Sequence, residues 1–245
     1  MLRAAGHAAT LPSRAQVRLY LLDEPATLPA ATAQQFSTWL SDDERQRWLR
    51  FHHADDRQRF LLARALVRSV LGAMLQQPPD SVQFSRNHHG KPELQQPGVP
   101  PLRFNVSHTR GLLALAVTVV DDIGVDVESM TRDVEMLSLA ERFFAASETA
   151  MLRSLPPPEL RENFFRLWTL KEAWVKARGL GLQFGLDAFS IGFSVDGRPV
   201  LLEGDDDARW SLLSCAHGGS FRLAVAVNVA AADCETIVLG ADALL

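Results

Sequence analysis

The chain carries the same pattern twice. FSRNHHGKPEL (84–94) resembles FSVDGRPVLL (193–202), and SHTRGLLALAVTVV (107–120) resembles AHGGSFRLAVAVNV (216–229). The segment ARALVRSVLG (63–72) matches KEAWVKARGLG (171–181) in kind. The spacings agree: Phe84 to Phe193 is 109 positions, Pro92 to Pro199 is 107, and His108 to His217 is 109. Agreement over separate blocks argues for a duplicated α+β unit; chance likeness between apolar strands is the other reading. The expected fold is therefore α+β, with two similar lobes related by a pseudo-twofold axis. A flexible N-terminus (1–15) precedes lobes at 16–122 and 123–245. A ligand is expected in the cleft between them. In this register Arg64 corresponds to Glu172, and Arg68 to Lys176.

Local signals divide each lobe into elements. Val17–Leu22 reads as a strand and 31–39 as a helix. Ser41 followed by Glu44 is a capping-box pattern. A longer helix runs from about Asp55 to Gln76, striped by Leu62, Leu66 and Val70, and Pro78–Pro79 stop it. Strands are expected near 82–85, 102–107, 112–120 and 123–127. Helices follow near 134–144 and 147–155, then a proline loop at 156–158. Further strands are expected near 189–193, 199–202, 210–215 and 221–229. The tail from Ala230 gives no signal.

Charge excludes some functions. Lys and Arg number 25 against 29 acids, for a net charge of −4, so no general basic field invites nucleic acid or a membrane surface. Yet seven arginines lie between Arg45 and Arg68, against only Asp55 and Asp56. That is a local cationic patch on an acidic protein. Cys215 and Cys234 have no metal-site spacing and do not define a disulfide framework. No apolar run reaches the length of a membrane span, and the N-terminus lacks the apolar core of a signal peptide. The expectation is a cytoplasmic protein.

The stretch FFRLWTLKEAWVKARGLGL (164–182) is a helix with apolar side chains on nearly every face, which predicts burial. Glu172 and Lys176 sit four apart on one face, beside Trp168 and Phe165. A core helix with one surface ion pair is the plain reading. A carboxylate and an ammonium among bulky aromatics are costly unless something charged meets them. Gly179 and Gly181 end the helix.

Three further features carry chemistry. In GVDVE (124–128) the strand period puts Asp126 and Glu128 on one face. A divalent cation such as Mg2+, which takes hard oxygen ligands, would relieve their repulsion. Glu172 is a candidate third acid; a solvated strand face is the competing reading. Ser107 and His108 stand where a strand gives way to the turn Thr109–Arg110–Gly111, a place suited to a phosphate. A Ser–His acyl-transfer pair is disfavoured by their adjacency and by the absence of a G-x-S-x-G elbow. Lys91 follows His88–His89–Gly90 in a tight turn.

Taken together, RFNVSHT (103–109), GVDVE (124–128) and FFRLWTLKEAWVKARGLGL (164–182) resemble the surfactin-type 4′-phosphopantetheinyl transferases. Gly90–Lys91–Pro92 and the arginine-rich helix at 57–68 fit as well, and order and spacing agree from about Ser41 to Val227. The resemblance implies a monomeric enzyme that moves phosphopantetheine from coenzyme A to a serine of an apo acyl carrier protein or peptidyl carrier domain, releasing adenosine 3′,5′-bisphosphate. It implies Mg2+, replaceable by Mn2+, held by Asp126, Glu128 and Glu172. It implies coenzyme A contacts from Lys91, Ser107, His108 and Lys176, and basic contacts to its phosphates from Arg47, Arg59 and Arg64. Glu172, or a metal-bound water that it orients, would act as the base, and Lys176 would stabilise the leaving phosphate. The region Met130–Leu139 with Phe143 and Phe144 resembles the surface that meets the carrier.

Two positions depart from the pattern. Glu44 stands where some relatives carry a lysine, and Val127 where some carry a third acid. The rival readings are a coenzyme A or nucleotide-binding protein without catalysis, and an Mg2+-dependent phosphoryl transferase or hydrolase that needs no protein acceptor.

Overall fold

In each half of the molecule a sheet is covered on its outer face by one long helix, and the two sheets press together at the centre. The structure is a computed structural model and describes residues 10–95, 101–120, 122–181, 184–203 and 209–245. The elements run β1 (Gln16–Asp23), α1 (Ala30–Thr38), α2 (Asp42–Leu49), α3 (Ala54–Leu75), β2 (Phe84–Arg86), β3 (Pro92–Leu94), β4 (Arg103–Thr109) and β5 (Leu112–Thr118). The second half repeats them: β6 (Ile123–Ser129), α4 (Met136–Phe143), α5 (Ala146–Arg153), α6 (Pro157–Arg178), β7 (Ser190–Phe193), β8 (Pro199–Glu203), β9 (Ser211–His217) and β10 (Phe221–Val227). A last strand, β11 (Asp233–Leu239), follows.

The duplication is visible in the sheet order. β1-β5-β4 in the first sheet is matched by β6-β10-β9 in the second, all antiparallel. Strand alternation sorts the side chains into layers. Val17, Leu19, Leu21, Leu112, Ala114 and Ala116 of the first sheet meet Ile123, Val125, Val127, Leu223, Val225 and Val227 of the second. The opposite faces serve the helices: Tyr20, Leu22, Leu113 and Leu115 join the α3 core, and Ala224 and Ala226 join the α6 core. β5 is apolar from Leu112 to Val117 because both its faces are buried.

The long helices have clear end signals. Pro157 and Pro158 occupy the first turn of α6, where the missing N–H costs nothing. The expected proline loop is therefore the start of the helix. Gly179 closes α6 in the left-handed region, φ 63°. Ser41 and Glu44 form the expected capping box on α2.

The tail holds the largest difference from expectation. β11 adds to the first sheet parallel to β1, pairing Gln16 with Asp233 and Leu22 with Leu239. Leu244 is buried in the α3 core, and its carbonyl accepts from Ser69 Oγ at 2.7 Å. Of the expected loose N-terminus, residues 1–9 lie outside the described residues, while Thr10 is held by the Arg18 guanidinium. Among the described residues no helix is long and apolar enough to cross a membrane.

Candidate active site

Helix α6 lies on β6 at backbone contact, and one glycine permits it. A Cβ on Gly124 would stand 2.0 Å from the Ala173 carbonyl oxygen and 2.4 Å from the Ala177 nitrogen. Ala173 and Ala177, one turn apart and fully buried, supply small side chains on the helix side. Gly124, Asp126 and Glu128 share the strand face turned toward α6. The same packing brings Glu172 and Lys176 to the seam.

There Lys176 Nζ donates to Asp126 Oδ1 at 2.5 Å and to Ser107 Oγ at 3.2 Å, and Ser107 Oγ donates to Asp126 Oδ1 at 3.0 Å. β4 brings Ser107 alongside β6, and Asn105 Oδ1 fastens that approach by accepting from Val125 N–H at 2.9 Å. Asp126 is 4% exposed, which removes the solvated-face reading of GVDVE. Its second oxygen, Oδ2, is buried without a hydrogen-bond partner. Glu128 Oε2 accepts from Arg132 Nη1 at 2.6 Å.

The acids feel one another. Burial raises the Glu172 pKa above the ordinary carboxylate range; Lys176 opposes the rise, and Asp126 and Glu128 add to it. Burial also raises that of Glu128, opposed by Arg132 and assisted by Asp126.

The expected metal cage is not preassembled. Among the described residues no three Asp, Glu, His or Cys side chains are gathered closely enough to hold an ion. Lys176 and Arg132 occupy one carboxylate each. The donor chemistry nevertheless fits a hard divalent cation. Asp126 Oδ2 is an anionic oxygen with no other partner, and two further carboxylates on the same seam have raised pKa values that a cation would lower.

The cationic flank comes from the first lobe. Glu24 Oε2 accepts from Arg59 Nε at 3.0 Å and from Gly111 N–H at 2.9 Å. It thereby ties Arg59 to the turn after His108. Arg59 Nη1 also reaches Asp56 at 3.0 Å. His108 has an exposed edge, but the surrounding protein depresses its pKa, and Arg59, Lys176 and Arg64 push it lower still. Arg64 is lowered by burial; Glu44 opposes this, while Arg86, Arg47 and Arg68 reinforce it. Arg47 and Arg64 both lie over the Phe60 ring, at 5.7 and 5.1 Å from its centroid. Glu44 binds Arg64 at 3.5 Å and Arg68 at 2.7 Å. Arg68 is buried and also donates to the Pro79 and Val82 carbonyls, so it is part of the scaffold.

The structure thus brings Ser107, His108, Arg59, Arg64 and Arg47 to the same region as Asp126, Glu128, Glu172 and Lys176. Lys91 donates its ammonium to two backbone carbonyls, Ile123 at 3.0 Å and Ala177 at 2.8 Å. Lys91, His89, Asn105, Glu172, Lys176 and Gly179 line a cleft of about 210 Å³.

Three contributors escaped the sequence reading. Gly124 was available as the first residue of GVDVE, and its proximity to a helix could have been asked of any strand glycine. Glu24 gives no local signal. Neither does the buried pair beside Glu172: Lys171 Nζ donates to Glu148 Oε1 at 2.7 Å with both side chains inaccessible.

Comparison with known proteins identifies the family. A family model described as the 4′-phosphopantetheinyl transferase superfamily matches residues 122–226, and one described as the N-terminal region of 4′-phosphopantetheinyl transferase matches 29–120. The 4′-phosphopantetheinyl transferase HetI of Nostoc sp. is 36% identical over 204 residues, covering 83% of this chain and 84% of that protein. Two transferases of Bacillus subtilis are also similar. Ffp is 36% identical over 177 residues (72% and 76% of the two chains), and Sfp 34% over 165 (67% and 71%). Likeness of that extent, over a chain whose seam holds the carboxylates and lysine of the surfactin-type pattern, makes this protein a member of the 4′-phosphopantetheinyl transferase superfamily, an enzyme of the surfactin type.

Proposed function

We propose that this enzyme transfers the 4′-phosphopantetheine of coenzyme A to a serine of an apo acyl carrier protein or peptidyl carrier domain, as a monomer in the cytoplasm. The observation that carries the reading is the meeting of Lys176, Asp126, Ser107 and Glu172 at one seam beside Arg59, Arg64 and His108. An anionic, phosphate-rich co-substrate suits that flank, and Arg47, Arg59, Arg64 and His108 are its contacts. Ser107 and Lys176 reach the phosphates nearest the reacting bond.

Asp126, Glu128 and Glu172 would hold Mg2+ or Mn2+, with Asp126 Oδ2 the anchoring oxygen. Such an ion, when bound, neutralises charge on the pyrophosphate as it separates. The carrier serine Oγ attacks the phosphorus on the pantetheine side. The P–O bond to adenosine 3′,5′-bisphosphate breaks as the new P–O bond forms. Glu172, which stands at the seam one turn before Lys176, takes the serine proton as general base. Lys176, one turn along α6, offers its ammonium to the departing phosphate. Met130–Leu139 with Phe143 is the carrier-facing surface; Phe144, expected to join it, is instead 4% exposed and packed into the α6 core against Phe164.

The test is the intact mass of an apo carrier protein incubated with this enzyme, coenzyme A and Mg2+. The expected result is a gain of one phosphopantetheine that EDTA prevents. No gain with acyl and peptidyl carriers alike would refute the reading.

A further inference from the structure

The β2–β3 hairpin of the first lobe is seated against the end of α6, which belongs to the second. Asn87 Oδ1 closes the hairpin turn by accepting from the His89 and Lys91 N–H groups, at 3.0 and 2.9 Å. Gly90 gives the turn its positive φ of 87°. The fit against α6 is tight. A Cβ on Gly179 would stand 2.9 Å from Asn87 Nδ2 and 3.6 Å from Lys91 Cδ, and one on Gly181 would stand 3.5 Å from His89. The lysine side chain therefore runs along the helix terminus and ends on the Ala177 and Ile123 carbonyls.

Those acceptors explain the arrangement. The last four carbonyls of a helix lack partners within it, and they form the negative end of its dipole. The Lys176 carbonyl receives Gly179 N–H at 3.2 Å. The Ala177 carbonyl receives Lys91. Ile123 opens β6, the strand that carries Asp126. One ammonium from the first lobe thus ties down both second-lobe elements that build the seam.

We infer that Lys91 is a positioning residue, which caps α6 from the other lobe and so sets Lys176 and Glu172 against the arginine cluster. This rests on the phosphopantetheine-transfer reading of the site. Lys176 directly precedes the capped residue Ala177, and Glu172 lies one turn before Lys176. Arg59, Arg64 and His108 belong to the lobe that supplies the cap. Freeing the end of α6 misplaces the base and the phosphate-facing ammonium relative to co-substrate held by the first lobe. A contact with the phosphates themselves would have the opposite kinetic signature.

Lys91→Met separates the two, using the intact enzyme, coenzyme A, Mg2+ and an apo carrier. The expected result is kcat lowered about tenfold, the cost of a modest misplacement of reacting groups. Coenzyme A affinity by calorimetry and the KM for coenzyme A should stay within about twofold. Lys91→Arg, which keeps a cation at the cap, should return kcat to within about threefold of wild type. A rise in KM with kcat unchanged would make Lys91 a phosphate contact and overturn the inference. Unchanged kcat and KM in a folded variant would overturn it too. If Lys91→Met does not fold, Lys91→Gln, which keeps a donor, is measured against the same outcomes. A wild type that transfers nothing would overturn the underlying reading instead.

Discussion

The Lys176 ammonium and the Asp126 carboxylate meet at 2.5 Å between α6 and β6, and Ser107 shares the same oxygen. A 4%-exposed carboxylate needs such hydrogen-bond partners in place of water. Asp126 still has one oxygen buried and unpartnered. The seam is thus built around anionic oxygen in unequal supply with protons to satisfy it, an arrangement that invites a cation on one side and phosphate on the other.

Glu172→Gln removes the proton acceptor while preserving shape. The expected loss in kcat is roughly 10²–10⁴-fold, with coenzyme A affinity by calorimetry little changed. Normal turnover by the variant would remove Glu172 from the role of base.

Arg59→Ala acts on binding and on folding. The KM for coenzyme A should rise roughly tenfold, consistent with the ~1.5–3 kcal/mol of a hydrogen bond to a charged group, and depend less steeply on salt. Glu24, whose side chain is 7% exposed, would lose its cation. Stability should therefore fall by ~1–3 kcal/mol. An unchanged KM across ionic strengths would take Arg59 out of the site.

Gly124→Ala inserts a methyl where the α6 backbone already stands. Backbone cannot rotate aside as a side chain can, so the helix must lift. The expected cost is ~1–3 kcal/mol or more in urea unfolding, with transfer reduced beyond what the unfolded fraction explains. A variant of wild-type stability and activity would show that α6 tolerates a different seat.

Lys171→Met should destabilise strongly, by roughly 3–5 kcal/mol, because it strands the buried Glu148 carboxylate. Glu148 would keep the Ile191 and Ala145 N–H donors. The double change with Glu148→Gln should therefore cost less than the sum of the single changes. Additive losses in a denaturant cycle would mean that the pair is not coupled.

Features set by neighbours along the chain were legible. The Ser41 capping box, the buried long helix and the shared face of Asp126 and Glu128 depend on spacing alone. Pro157 and Pro158 were misread because proline breaks a helix interior but suits its first turn. β11 was missed because DCETIVL alternates only weakly and its partner, β1, lies more than 200 residues away. The site was legible as a set of acids and bases, since the resemblance joined Glu172, Lys176, Asp126 and Ser107. Its wiring was not. The resemblance implied a coenzyme A contact for Lys91, but nothing local signalled that its ammonium would reach two carbonyls from distant segments. Glu24 and Glu148 likewise act through contacts that no local pattern encodes.

Because β11 lies beside β1, the first sheet has a delayed member. During synthesis the α3 core can gather early, but its sheet lacks an edge until residues 233–239 have left the ribosome, after the whole second lobe. Through that interval β1 lacks its partner on one side, and an open strand edge is a template for wrong partners. The same wiring means that cutting the chain between β5 and β6 yields no self-sufficient halves: the first fragment would need its missing strand supplied in trans.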